Sequence, residues 1–215
     1  LETLKPNIFE AYGYWWPTDM GRSDHTVETY KKNYLDHRSD MNLALSKTRG
    51  RKVVIQAGGH CGTWAHYLAG LFDTVYTFEP HQVNFACLAR NAALPNVFAS
   101  RGVLGNERGP LRLWHNSKYT GGHHAEKHAG DVPVYRIDDL NLPACDFLML
   151  DVEGMEYPAL VGAAETIKKY RPVIQIEAQG HGEKYGWGSL VQIKEFLNGY
   201  KEIGQIALDR VFCAQ

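Results

Sequence analysis

Val53-Val54-Ile55-Gln56-Ala57-Gly58-Gly59-His60-Cys61-Gly62 decides how the rest of the chain reads. A short β-branched run with one polar residue, Gln56, ends at paired glycines and leads into a helical pattern from Thr63 to Phe72. A strand that turns through glycine into a helix opens a βαβ unit. Downstream the rhythm repeats. Thr74 to Glu79 reads as a second strand, and His81 to Ala93 as a helix with Phe85, Leu88 and Ala89 at helical spacing. Asn96 to Ser100 opens a third strand. Cys145 to Asp151 is a fourth and Arg171 to Glu177 a fifth, with a helix from about Tyr157 to Tyr170 between them. A helix near Leu190–Leu197 precedes two late strands, about Lys201–Ile203 and Ile206–Phe212, expected to pair antiparallel at the C-terminal edge. The fold class is therefore α/β, with a doubly wound, mostly parallel sheet.

Upstream, residues 1–50 lack a β-rich run and read as an N-terminal helical extension or lid before a domain spanning 51–215. Asp24 is the candidate cap of a helix from about His25 to Leu35, and Ser39 or Asp40 of another reaching Ser46. One stretch interrupts the alternation: Leu111–His115 and Val132–Tyr135 read as short strands. The glycine- and histidine-rich segment from Asn116 to Asp131 between them reads as a mobile loop.

Composition bounds the function. With 44% hydrophobic and 22% charged residues over 215 positions, the chain can bury a core, which excludes a disordered protein. Its 23 basic and 24 acidic residues leave a net charge of -1, so no basic excess invites nucleic acid. No apolar run approaches the length of a membrane span. Cys61, Cys87, Cys145 and Cys213 are scattered, which argues against a disulfide framework or a zinc finger and points to a reducing, cytoplasmic setting.

Open parallel sheets bind ligands beyond the carboxyl ends of their strands. Those ends carry Gln56 to Gly62, Glu79, Arg101 to Val103, Asp151 to Glu156 and Glu177. The glycine loop lets backbone approach a cofactor at a helix start, although Ala57 breaks a dinucleotide G-x-G-x-x-G pattern. Glu79 can accept both hydroxyls of a ribose. Loop and acid together indicate an adenosine cofactor, either NAD or S-adenosylmethionine (SAM). The carboxylates of Asp151, Glu153 and Glu156 suit a cationic cofactor better than a pyrophosphate.

Five segments carry a resemblance: Val54–Gly62, Phe78-Glu79-Pro80 with its helix, Ile137-Asp138-Asp139-Leu140, Asp146–Glu156, and Arg171-Pro172-Val173 to Glu177. In this order they resemble the FkbM-type methyltransferases, over roughly residues 52–178. The resemblance implies a class I Rossmann-like methyltransferase fold and SAM-dependent methylation, most often of a hydroxyl on a sugar or natural product. It implies that Ala57, Gly58, Gly59, His60 and Gly62, with Gln56 before them, cradle the methionine part of SAM. Glu79 would hold the ribose, and Pro80 and His81 would border the adenine. Gly102 and Val103 join them from the third strand's end, and Asp151 would sit near the amino group and the methyl. The chain departs from the family pattern at Gln56, where an acid is usual, at Gly59-His60 in place of Ala-Asn, and at Met149 in place of a lysine. These departures keep a second reading open, a non-catalytic SAM- or nucleotide-binding member; an NAD-dependent oxidoreductase is a third.

A hydroxyl acceptor must lose a proton during methyl transfer, and Asp151, Glu153, Glu177 and His181 are the candidate groups. The same carboxylates suit a divalent metal such as Mg²⁺, but no spacing compels one. His123, His124 and His128 are read as part of a solvated loop rather than a metal site, because their spacing in a flexible segment preorganises nothing. Tyr14-Trp15-Trp16 and Tyr185-Gly186-Trp187 either stack on a carbohydrate-like small-molecule acceptor or pack the extension onto the domain. Cys61 is small enough to fit its loop; a helix start can also activate a thiol.

Overall fold

The apolar runs become strands of one sheet. The computed structural model describes residues 7–18, 27–32, 41–116 and 121–215. β1 (Val53–Ala57), β2 (Thr74–Glu79), β3 (Val97–Arg101), β4 (Phe147–Leu150) and β5 (Val173–Glu177) run parallel. With β6 (Tyr200–Ile206) and β7 (Asp209–Ala214) they line up in the order β6-β7-β5-β4-β1-β2-β3. β7 is antiparallel to both β5 and β6, so the C-terminal edge is antiparallel as its sequence suggests. The principal helices are α1 (Thr63–Ala69), α2 (Gln82–Asn91), α3 (Glu156–Val161), α4 (Ala164–Tyr170), α5 (His181–Tyr185) and α6 (Leu190–Phe196).

Strand residues alternate between two cores. Val54, Phe147, Met149, Val173 and Val211 face Trp64, Ala65 and Leu68 of α1 and Ala44 and Leu45 of a short helix, Asn42–Lys47. Val53, Ile55, Leu148, Leu150, Ile174 and Ile176 face Ala159 and Leu160 of α3, Ile167 of α4 and Ile193 of α6. Burial on both faces is why these strands read as nearly unbroken apolar runs. Among the described residues, no helix is long and apolar enough to cross a membrane.

Local details differ from the sequence reading for physical reasons. The N-terminal extension is not wholly helical: Ile8–Ala11 and Tyr14–Pro17 form an antiparallel hairpin. Its two-residue turn, Tyr12-Gly13, has φ of 55° and 75°, the paired positive values that suit strand twist. Asp24, Ser39 and Asp40 lie outside the described residues. The helix expected over 157–170 breaks into α3 and α4 at Gly162, where a Cβ would sit 2.1 Å from the Gly105 carbonyl oxygen. The buried stripe of α2 is Asn84, Cys87, Leu88 and Asn91, while Ala89 is exposed. Two asparagines stand in that stripe because their amides have fixed partners. Asn91 accepts the Trp15 N–H at 2.7 Å and donates to the carbonyls of Trp15 (2.8 Å) and Cys61 (2.6 Å).

The segment read as a mobile loop is the largest correction. His124–Ala129 is a strand paired antiparallel with Leu111–Trp114. It is held by side chains rather than periodicity. The His124 ring stacks on Tyr185 with centroids 3.8 Å apart, and Trp187 Nε1 donates to the Ala125 carbonyl at 3.0 Å.

Candidate functional site

β1 and β4 lie side by side with Ala57 opposite Leu150, yet their helices lead to opposite halves of the sheet. Chains diverging this way open a crevice at the strand ends. A cavity of about 290 Å³ lies there, with walls from the first loop, Glu79 and Pro80, Gly102 and Val103, Asp151 to Glu153, and Glu177. The loop is anchored from behind. The N–H groups of Gly58 and Gly59 both donate to the Phe78 carbonyl, at 3.1 and 2.8 Å, and Asp151 N–H donates to the Ala57 carbonyl at 3.1 Å.

One end of the cavity is organised by Glu79. Its carboxylate accepts the backbone N–H of His60 at 2.7 Å and that of His81 at 2.8 Å, with the Asn84 side chain a third partner. His60 adopts a positive φ of 44° in the turn that delivers its N–H. Burial nonetheless pushes the Glu79 carboxyl up to about 7, because these hydrogen bonds only partly offset the loss of water.

The other end is acidic. Asp151, Glu153 and Glu177 all line the cavity. Burial, and then the charges of Glu177 and Glu153, hold the Asp151 carboxyl well above the ordinary range. Burial followed by Glu177 and Glu156 raises Glu153 to about 8. His181 Nδ1 lies 2.7 Å from Glu153 Oε2, and one ligand atom from each of Glu153, Glu177 and His181 falls within a 4.8 Å span. Gln179 donates to Glu177. Glu156 turns inward, accepting the N–H groups of Val152 and Gly154, each at 3.2 Å, and so shapes the β4–α3 turn.

The strand-end residues from Ala57 to His60, Glu79, Pro80, Gly102, Val103, Asp151, Glu153 and Glu177 thus share one cavity. Four expected residues stand back from it. Gln56 is fully buried in the sheet, donating to the Gly58 carbonyl at 3.0 Å and accepting from Thr77 Oγ1 at 2.6 Å. Gly62 begins α1 and packs against Leu88. His81 reaches the site through its backbone N–H to Glu79. His181 lies behind Glu153 on a smaller adjoining cavity of about 230 Å³. The aromatic groups are packing elements. Trp16 is fully buried and clusters with Cys61 and Cys87, Tyr185 stacks on His124, and Trp187 bonds Ala125. Cys61, itself fully buried, fits its loop as a small core residue.

Sequence reasoning missed Thr63, Trp64, Asn84 and Leu208 in the walls. Asn84 left one signal, a polar residue on the buried face of α2. His123, read from the sequence as part of a solvated loop, also lines the cavity. It arrives on the hairpin, where burial and then the neighbouring His81 and His115 push its imidazole down to about 3.

Comparison with known proteins follows the same geometry. The methyltransferase FkbM domain family matches residues 53–204, most of the chain. The chain belongs to the FkbM methyltransferase family. An FkbM methyltransferase from Methylobacillus flagellatus KT superposes with a TM-score of 0.52 at 17% identity, covering 86% of this chain and 50% of that one. The chain therefore spans about half the length of that relative. A precorrin-6y C5,15-methyltransferase from Geobacter metallireducens GS-15 gives a TM-score of 0.49 at 11% identity, covering 84% of this chain and 90% of that one. No curated protein sequence matches. The sheet order and the first of these likenesses give a Rossmann-like, class I methyltransferase fold.

Proposed function

We propose that this methyltransferase uses SAM to methylate a hydroxyl of a small molecule, of the carbohydrate or natural-product class. One observation carries the reading: a single switch-point cavity has Glu79 at one end and the cluster Asp151, Glu153 and Glu177 at the other. The residues fit the cofactor. Glu79, which already accepts from His60, His81 and Asn84, keeps an acceptor position for a ribose hydroxyl, Gly58 and Gly59 line the wall, Pro80 borders the adenine, and Asp151 faces the ammonium. When bound, SAM supplies a methyl group on a positively charged sulfur, which an acidic wall favours.

The chain's own work is positioning and proton removal. Burial of the acidic end excludes water and raises the basicity of Glu153, so its carboxylate is matched to taking a hydroxyl proton near neutral pH. His181 acts from behind as a positioning residue, fixing Glu153 Oε2 through Nδ1 and offering an onward route for the proton toward the adjoining cavity. Glu177 and Asp151 stand by as further acceptors. The cysteine spacing, which suits no disulfide framework, is the sequence's argument for a reducing, cytoplasmic setting.

Calorimetry with SAM, S-adenosylhomocysteine and NADH tests the cofactor. Both SAM ligands are expected to bind and NADH to fail. Removing the charge-assisted hydrogen bond to the ribose in Glu79→Ala should weaken SAM at least about tenfold. Folded protein that binds neither SAM ligand would overturn the reading. Transfer of a labelled methyl to a panel of hydroxyl acceptors then tests the reaction.

A further inference from the structure

Three histidines far apart in the sequence meet beside the cavity. His81 sits in the turn after β2, His115 just beyond the strand Leu111–Trp114, and His123 just before its partner strand His124–Ala129. One ring nitrogen from each lies within 4.8 Å of the other two. The rings do not stack into a core. Their planes cross at 47° to 71°, with centroids 4.1 Å (His81–His123), 5.2 Å (His81–His115) and 5.4 Å (His115–His123) apart. Ligand nitrogens around a tetrahedral zinc ion stand about 3.3 Å from one another, so closing this triangle requires only small rotations of side chains.

His123 supplies a second, independent observation. It is 9% exposed, and its buried Nε2 has no hydrogen-bond partner among the described residues. Its Nδ1 accepts the Asn116 N–H at 2.8 Å, so the proton of the neutral ring sits on Nε2. A buried polar atom left in this way is costly unless something occupies it. We propose that His81, His115 and His123 form a site for one divalent transition-metal ion of the zinc class, which clips the hairpin onto the turn after β2. Three imidazoles select zinc, nickel or copper over the hard ions Mg²⁺ and Ca²⁺. Loading moves the His123 proton from Nε2 to Nδ1 and releases Asn116, so the ring stays neutral and no proton is lost. A fourth coordination position is left for water or a ligand group, on the side where His123 borders the cavity. The site is independent of the methyltransferase reading and distinct from the cluster of Glu153, Glu177 and His181.

The test uses tag-free, chelator-stripped protein, titrated with Co²⁺ followed by visible absorption and with Zn²⁺ by calorimetry. One ion per chain is expected, with the intense visible bands of four-coordinate cobalt. His115→Ala, which removes an exposed ring, and His123→Ala should each weaken binding at least tenfold, while His181→Ala leaves it unchanged. Circular dichroism checks that each variant is folded. Absence of binding to the folded wild type would overturn the proposal. So would one-to-one binding that survives both His115→Ala and His123→Ala, or that is lost in His181→Ala.

Discussion

Gln56 and Met149 stand directly opposite each other on the adjacent parallel strands β1 and β4. The resemblance drawn from the sequence makes an acid usual at the first position and a lysine at the second, where this chain has an amide and a thioether. They are cross-strand neighbours on one buried face. Gln56 is 0% exposed and Met149 4%, so a charge at either position would need the other as its partner. The amide is instead satisfied by Thr77 and the Gly58 carbonyl, and Met149 joins the apolar core beside α1.

This relationship makes a double-mutant cycle informative. Met149→Lys alone buries an uncompensated ammonium and is expected to cost about 3–5 kcal/mol. Gln56→Glu alone should destabilise by a similar order. The double variant should recover at least about 1 kcal/mol relative to the sum of the two, because the new charges face each other. Urea denaturation of the four proteins gives the coupling directly. Simple additivity would mean that the two side chains do not meet as the register places them.

The acidic end of the cavity sets a pH dependence whose sign is fixed. Glu153 is raised from the usual 4.5 to about 8 and Glu156 to about 7, both mainly by burial. Between about pH 4.5 and those values the folded protein holds protons that the unfolded chain has released. Stability is therefore full below about pH 4.5, falls as pH rises through 7 and 8, and levels off beyond. Glu153 faces Asp151, Glu177 and Glu156, with His181 at 2.7 Å and Lys184 as the opposing cation. The loss between pH 5.5 and 8.5 should be on the order of a few kcal/mol for the cluster. Urea midpoints across this range are expected to fall, and Glu153→Gln should flatten the slope. SAM affinity should move the opposite way, rising with pH as the wall becomes anionic.

Asn91 is expected to control the N-terminal hairpin. Its side chain replaces a missing strand partner, taking both the N–H and the C=O of Trp15 across 76 residues of sequence and adding the Cys61 carbonyl. Asn91→Ala removes three hydrogen bonds and leaves backbone groups to find water, a cost of about 2–3 kcal/mol. The sharper readout is local. Hydrogen exchange at the amides of residues 14–16 should accelerate far more than in β1 or β4. Equal acceleration everywhere would show that the hairpin unfolds only with the rest.

What could be read from the sequence follows from how local the causes are. β1, β4 and β5 are buried on both faces, so their apolar runs announce them; Glu79 and Asp151 sit at strand ends, where chain order alone puts them near a switch point. The hairpin of residues 8–17 hides because its strands are aromatic and mixed, and its turn relies on Tyr12 at positive φ. Gln56 shows the limit at the site. Its place before the glycine loop suggests a ligand contact, but the pleat turns its side chain into the sheet. His115 and His123 converge with His81 only because a hairpin folds back over the β2–α2 turn, a contact with no periodic trace.

Gly58 separates two explanations of the glycine loop. If glycine stands there for the cofactor alone, Gly58→Ala should fold normally and lose only SAM binding. The protein itself gives a stronger reason. A Cβ at Gly58 would lie 1.7 Å from the Asp151 carbonyl oxygen, a backbone atom, and the residue has φ of +81°. That backbone is held by the Asp151 N–H bond to Ala57, so the clash can be relieved only by parting β1 from β4 at the site. The left-handed conformation adds about 1–2 kcal/mol for any side chain. Gly59 is the control. There the closest atom to an added Cβ, at 2.2 Å, is Leu88 Cδ1, the end of a side chain that can rotate away, although Thr77 Oγ1 and the Phe78 carbonyl remain close at 3.0 and 3.2 Å. Gly58→Ala is therefore expected to cost more than about 4 kcal/mol and Gly59→Ala about 1–3 kcal/mol. Urea denaturation ranks them. A Gly58→Ala protein as stable as wild type but unable to bind SAM would return the glycine to the cofactor's account.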